Sequence, residues 1–194
     1  MVEGKTVAVV LWTDWEGHGL EQCHCREGDD GLVLEGVVAG TRHGAYGAYY
    51  LVSTDADFKT RQVRVVYVGG ASLHVEADGR ESWHDVIGNR PLPELNGCTD
   101  VDLGITPTTN TLPIKRLKLQ EQESRDIVVA YVALPDQIDG DFLPRRAEQR
   151  YTCLTLDRRY RYEGLFRAFT AELDIDDAGL VRDYPDTLRR AAIE

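Results

Sequence analysis

An apolar–polar alternation with a period of two runs through most of the chain, and it constrains the fold more than any other feature. In "TRQVRVVYVGG" Val63, Val65 and Tyr67 fall on one face, with Gln62 and Arg64 on the other. Phe169, Ala171, Leu173 and Ile175 alternate in the same way near the end. "GLVLEGVVAG" and "AYGAYYLVST" are beta-branched or aromatic and bounded by turn residues. "ASLHVEADGRESWHDV" reads as a hairpin turning at Asp78-Gly79. "IKRLKLQ" and "IVVAYVALP" read as a strand pair joined by "EQESRD". No segment of useful length sustains a 3.6-residue period. Short turns of helix fit only "PELNGCTD", "LPRRAEQR" and "YPDTLRRAAIE".

The expected fold is therefore mainly β: a large curved antiparallel sheet or a partly open roll or barrel, with few short helices. The 194 residues suffice for one core, so a single domain over 1–194 is expected. A tyrosine strand followed by a Phe-led alternating strand occurs in each half. This suggests two related meanders with Cys98–Pro113 crossing between them.

The formal net charge of -11 disfavours nucleic acid and anionic lipid as partners. The apolar run Thr6–Thr13 is too short for a membrane span or signal segment, so a cytoplasmic location is expected. "CHC" sets Cys23 and Cys25 on one face of a strand. Its one-residue gap does not match zinc spacing, and reduced thiols near a core are the expectation. No metal and no cofactor is expected.

"GCTDVDLGITPTTNTLPIKRLKL", Gly97–Leu119, has no charge between Asp102 and Lys115. Pro107 and Pro113 favour extended backbone before them, and the threonines with Asn110 offer neutral hydrogen-bonding groups. The stretch reads either as a binding rim or as a structural crossover. Asp100 and Asp102, about 7 Å apart if on one face of a strand, have a spacing open to glycosidase-like chemistry, but local pairing is the stronger reading. "DIDD" (Asp174–Asp177) lacks the later ligands of a calcium loop and reads as an acidic turn.

The same central stretch is similar to the signature of the bacterial family named "putative glycolipid-binding", once catalogued as a domain of unknown function. "GLE" at Gly19–Glu21, "DADFKTR" at Asp55–Arg61, "DGRESW" at Asp78–Trp83, "QRYTCL" at Gln149–Leu154 and "GLVRDYPDTLRR" at Gly179–Arg190 agree in order. The chain departs from that pattern at Phe58, where the family often has Trp, and in "DGRESW", where the family's turn is tighter. The resemblance implies a curled antiparallel β fold with an open concave side, and it supplies no catalytic set.

Glycolipid or other amphipathic small-molecule binding in that concavity is thus the leading expectation, with Trp15, Tyr49, Arg61, Tyr67, Trp83, Asn110 and Arg116 as candidate ligand-binding residues. The aromatic groups would stack on a sugar face or line an acyl cavity, and the arginines would fork onto an anionic head or pair with Asp55, Glu21 or Asp102. No nucleophile elbow or phosphate-binding loop is present. The alternatives are a small-molecule hydrolase or isomerase using acid–base residues in the same cavity, and a protein-interaction module using an open sheet edge.

Overall fold

The computed structural model describes residues 4–80 and 82–191. The first meander comprises β1 (Lys5–Thr13), β2 (Leu20–Gly28), β3 (Gly31–Gly40), β4 (Tyr46–Thr54), β5 (Thr60–Tyr67), β6 (Ser72–Ala77), β7 (Trp83–Asp85) and β8 (Arg90–Pro91). After β9 (Asp100–Leu103) and α1 (Thr111–Leu117), the second meander comprises β10 (Ser124–Val132), β11 (Arg145–Thr155), β12 (Arg159–Gly164) and β13 (Phe169–Asp174). The chain closes with β14 (Asp183–Tyr184) and β15 (Leu188–Arg190).

Two sheets result. A ten-stranded sheet has the order β14-β15-β1-β2-β3-β4-β5-β6-β7-β8, and a five-stranded sheet the order β13-β12-β11-β10-β9. The pairings are antiparallel except β9 with β10, which run parallel. A parallel pair needs a long crossover, and the charge-free central stretch supplies it. One hydrophobic cluster takes Trp12, Leu34, Tyr50 and Val65 from the large sheet and Val101, Leu103, Ala130 and Val132 from the small one.

The inner face of the large sheet follows from alternation. Val10, Trp12, Cys23, Cys25, Tyr50, Val52, Val63 and Val65 are buried, while His24, Val37, Arg64 and Val66 face out. Cys23 and Cys25 share the inner face and His24 lies on the other side. Burial pushes the Cys25 thiol up to about 11, which leaves it an unreactive core group.

Three local expectations are corrected. Ile114–Leu117 belongs to α1 and not to a strand, and β10 pairs with β9 and β11 instead. A seven-residue helix is too short to display its period, and Pro113 suggested extended backbone. Pro113 sits in the first turn, where its missing N–H leaves no bond unmade. Arg145–Thr155 is strand throughout, so "LPRRAEQR" holds no helical turn. "YPDTLRRAAIE" forms the ends of β14 and β15 as far as residue 191; residues 192–194 lie outside the described set. "PELNGCTD" does carry a short 3-10 turn at Pro93–Leu95. No helix among the described residues is long and apolar enough to cross a membrane.

Candidate functional site

The crossover is nearly all buried from Ile105 to Ile114, so its backbone needs partners inside the protein. The threonines provide them. The Leu103 N–H donates to Thr109 Oγ1, the Thr108 N–H donates to Thr106 Oγ1, and Thr111 Oγ1 donates to the Gly179 carbonyl. Asn110 is 5% exposed; its amide donates to the Pro107 carbonyl and its Oδ1 accepts from the Tyr151 hydroxyl. The stretch is a structural crossover, and one side of it also forms a wall of a cleft.

That cleft, about 280 Å³, lies where β9, β13, β14 and β15 approach one another beside the β3–β4 loop. Asp102, Thr106 and Asn110 line it from the crossover side, and Phe169, Tyr184 and Leu188 from the other. The Phe169 and Tyr184 rings stack, 11° apart in plane with centroids at 5.9 Å. Arg167 lies exposed at the mouth with its guanidinium over the rings of Phe166, Phe169 and Tyr131, at 5.0, 5.4 and 5.5 Å from their centroids. Half-buried Arg42 enters from the β3–β4 loop and donates to the Gly104 carbonyl.

Asp102 is the carboxylate of this cleft. Gln149 Nε2 donates to its Oδ2 over 2.6 Å. Burial raises its pKa, and the field of Arg167 and the Gln149 bond oppose that rise. Its neighbour Asp100 is fully buried and held by both Nε and Nη2 of Arg116, at 3.0 and 2.5 Å. Asp100 is thus a structural anion, and the two aspartates do not act as an exposed pair.

Behind the crossover lies a second carboxyl group, Glu21, 1% exposed on the inner face of β2. Its Oε1 accepts from Thr106 at 2.5 Å and from Tyr50 at 2.6 Å. Tyr50 reaches it from β4 by lying across Gly36 of β3, where an added Cβ would stand 2.6 Å from the phenolic oxygen. Burial lifts the Glu21 pKa to about 7 against the opposing bonds from Thr106 and Tyr50. Its Oε2 is buried without a hydrogen-bond partner.

The seven residues singled out in the sequence are dispersed. Asn110 lines the cleft. Trp15 is 46% exposed near its edge strands, its indole N–H donating to the Tyr184 carbonyl and Arg189 lying over its ring. Tyr67 and Trp83 are core residues that donate to the carbonyls of Ala133 and Cys98. Tyr49 lies on the outer face and donates to Glu35. Arg61 lies 3.8 Å from Asp55, the pairing expected for it, and Arg116 is taken by Asp100.

Arg42, Arg167, Phe169 and Tyr184 were not anticipated, because nothing in the sequence shows that loops and strand ends so distant in the chain converge. Glu21 did leave a signal: it shares its face with Cys23 and Cys25, and an acid on the apolar face of a strand requires a reason. Two larger grooves, about 460 and 570 Å³, are lined largely by exposed or half-buried residues, among them Lys118, Asp157 and Arg158 in the first and Arg125 and Asp126 in the second.

Fold and site together define an antiparallel β protein with a polar and aromatic cleft between two sheets. The chain belongs to the family described as "Putative glycolipid-binding", whose profile matches residues 9–190. A crystal structure of a DUF1089-family protein from Pseudomonas aeruginosa is similar over 88% of this chain and 92% of that one, with 35% identity and a TM-score of 0.72. A comparison with curated proteins gave no match.

Proposed function

We propose that the cleft binds the sugar head group of a glycolipid or similar amphipathic molecule without transforming it. The observation that carries this reading is the stacked Phe169–Tyr184 pair facing the hydrogen-bonding groups of Asp102, Thr106 and Asn110 across one small cleft. A sugar has an apolar ring face and a polar rim, and this arrangement offers a surface for each. Arg42 and Arg167 add donors for ring hydroxyls or for an acidic substituent. The volume is at the small end of ligand sites, so the head would fill it and the chain would leave past half-buried Leu188. The family description supports the same ligand class.

Calorimetry with octyl β-D-glucoside below its micelle concentration tests the reading. Saturable binding is expected, weakened about tenfold or more by Phe169→Ala, since an aromatic contact and its buried area are lost together. Absence of binding by any alkyl glycoside, with no co-purified lipid in native mass spectra, would sink it. Asp102 gives the hydrolase or isomerase reading its one specific support, because a half-buried carboxyl with a raised pKa at a cleft wall is suited to acid–base chemistry. Turnover of an alkyl glycoside or sugar ester, abolished by Asp102→Asn, would install that reading in place of simple binding.

A further inference from the structure

The charges that line the cleft do not cancel. Arg42 and Arg167 bring two guanidinium groups against the single carboxyl of Asp102, so the lining has a positive excess whether or not Asp102 is ionised. Both guanidinium heads, and not only their stems, lie at the wall. Nη2 of Arg42 donates to the carbonyl of Gly104, itself part of the lining, and the Arg167 guanidinium lies 5.4 Å from the ring centroid of Phe169, another lining residue. Arg116 and Arg190 are each taken by an aspartate, Asp100 and Asp176, whereas Arg42 and Arg167 have no such ion pair among the described residues. Asp136 lies 3.5 Å from His43 and is outside the lining.

Each guanidinium has donors to spare. Its fork carries several N–H groups; Arg42 uses one on Gly104, and Arg167 gives one to the Tyr162 hydroxyl over 3.4 Å. The rings of Tyr131, Phe166 and Phe169 hold Arg167 without consuming its N–H groups, so the head is in place before a ligand arrives and loses little freedom on binding. The fields of Arg42 and Arg167 act together on Asp102, Tyr131 and Tyr184, which puts both cations over the same space. Asp102 keeps an acceptor as well: Gln149 occupies Oδ2, but Oδ1 carries only a 3.5 Å bond from Thr109.

We propose that the head group taken by the cleft is an acidic sugar, in its simplest form a hexuronic acid glycoside, with its carboxylate met by Arg42 and Arg167 and a ring hydroxyl by Oδ1 of Asp102. The proposal rests on the cleft reading and deepens it by naming the charge of the ligand. A guanidinium fork matches the two oxygens of a carboxylate. At about 280 Å³ the cleft has little room beyond one sugar ring. A uronate adds a single oxygen to a hexose, whereas a sulfate or phosphate ester adds a bulky tetrahedral group. The net charge of -11 opposes an anionic lipid surface as a whole, but charges beyond about 8 Å are largely screened at physiological salt. A single dispersed acidic glycolipid therefore meets the two arginines, while an anionic membrane meets the acidic surface.

The test is calorimetry at about pH 7.5, where a uronate is ionised. Three ligands are compared: octyl β-D-glucoside, octyl β-D-glucuronide, which carries a carboxylate in place of the hydroxymethyl group, and octyl sulfate, which has the charge and the chain but no sugar. Wild-type protein should bind the glucuronide about tenfold or more tighter than the glucoside, since a charge-assisted hydrogen bond is about twice as strong as a neutral one. Octyl sulfate should bind more weakly than the glucuronide. The advantage of the glucuronide should shrink as sodium chloride is raised, because Arg167 lies exposed at the mouth. In the double variant Arg42→Met with Arg167→Met, which keeps the aliphatic bulk, that advantage should close to within about threefold. The ratio of the two glycosides within each protein is the readout, so a variant that weakens both alike lends no support. Arg64→Met removes one positive charge from the outer face of the large sheet and should leave the ratio as it is in wild type. Binding of the glucoside as tight as that of the glucuronide, a preference that survives the double variant, or octyl sulfate matching the glucuronide while the glucoside still binds would overturn the acidic-sugar inference and leave the cleft reading intact. Binding of neither glycoside would overturn both.

Discussion

The Tyr151 hydroxyl donates to Asn110 Oδ1 over 2.8 Å, joining β11 of the small sheet to the crossover inside the protein. The Asn110 amide also donates to the Pro107 carbonyl over 3.0 Å, so one side chain fixes both the turn and its neighbour. Asn110→Leu removes both bonds and leaves the Tyr151 hydroxyl buried and unpaired, while the Pro107 carbonyl keeps only the 3.3 Å bond from the backbone N–H of residue 110. The expected loss of stability is about 1–3 kcal/mol, read by chemical denaturation. A midpoint unchanged within error would mean that those groups find other partners.

Gly36 and Tyr50 give a steric prediction. Gly36→Ala puts a Cβ 2.6 Å from the Tyr50 ring and hydroxyl and 2.7 Å from the Gln22 carbonyl, contacts that real side chains do not make. The ring must move, and its bond to Glu21 goes with it. A destabilisation of about 1–3 kcal/mol is expected for such overpacking. Tyr50→Phe in the same background should then cost almost nothing further, since its hydroxyl has already lost its partner. Full additivity of the two changes would show that the ring does not respond to Gly36.

Glu21 predicts a pH dependence of stability. Its folded pKa is raised from 4.5 to about 7 by burial, so between those values the folded protein retains a proton that the unfolded chain releases. The stabilising contribution is complete below about pH 4.5, declines as pH rises, and levels off above about 7. The total is about 3 kcal/mol at roughly 1.4 kcal/mol per pKa unit. Asp14, Tyr46, Arg42, Tyr50 and Cys23 surround the group, and Asp100 and Asp102 are raised in the same direction as Glu21. The comparison of wild type with Glu21→Gln isolates it. Denaturation from pH 4 to 8 should show the variant gaining on wild type with rising pH, and parallel curves would rule Glu21 out as the group responsible.

Strand identity was legible in the sequence because each half-buried strand writes its two faces in alternation, as Val63, Val65 and Tyr67 do. The crossover was legible only as an oddity. Its threonines bond to a buried backbone, and that pattern has no period to reveal it. The short helix α1 was hidden for the same reason. At the site, Asn110 and the Arg61–Asp55 pair followed from local chemistry, whereas the cleft did not. Tyr184 reaches the cleft through the pairing of β15 with β1, and Asp102 meets it from the other sheet, long-range contacts that no local segment encodes.

The buried Asp100–Arg116 pair supplies the last prediction. Both nitrogens of the guanidinium fork engage one carboxylate that is fully removed from solvent. Burial alone raises the Asp100 pKa, and Arg116 opposes that rise. Arg116→Met leaves the carboxylate buried without its counter-charge, and a loss of about 3–5 kcal/mol is expected near neutral pH. Asp100 would then hold its proton to still higher pH. The deficit should therefore shrink toward pH 4, where the folded variant carries a neutral carboxyl, and grow as pH rises through the raised folded pKa. Arg116→Lys should recover only part of the loss, because one ammonium cannot reproduce the two-bond fork. Urea denaturation of the three proteins at pH 4 and pH 8 checks both points. A deficit independent of pH would show that lost packing, and not the stranded charge, accounts for the cost.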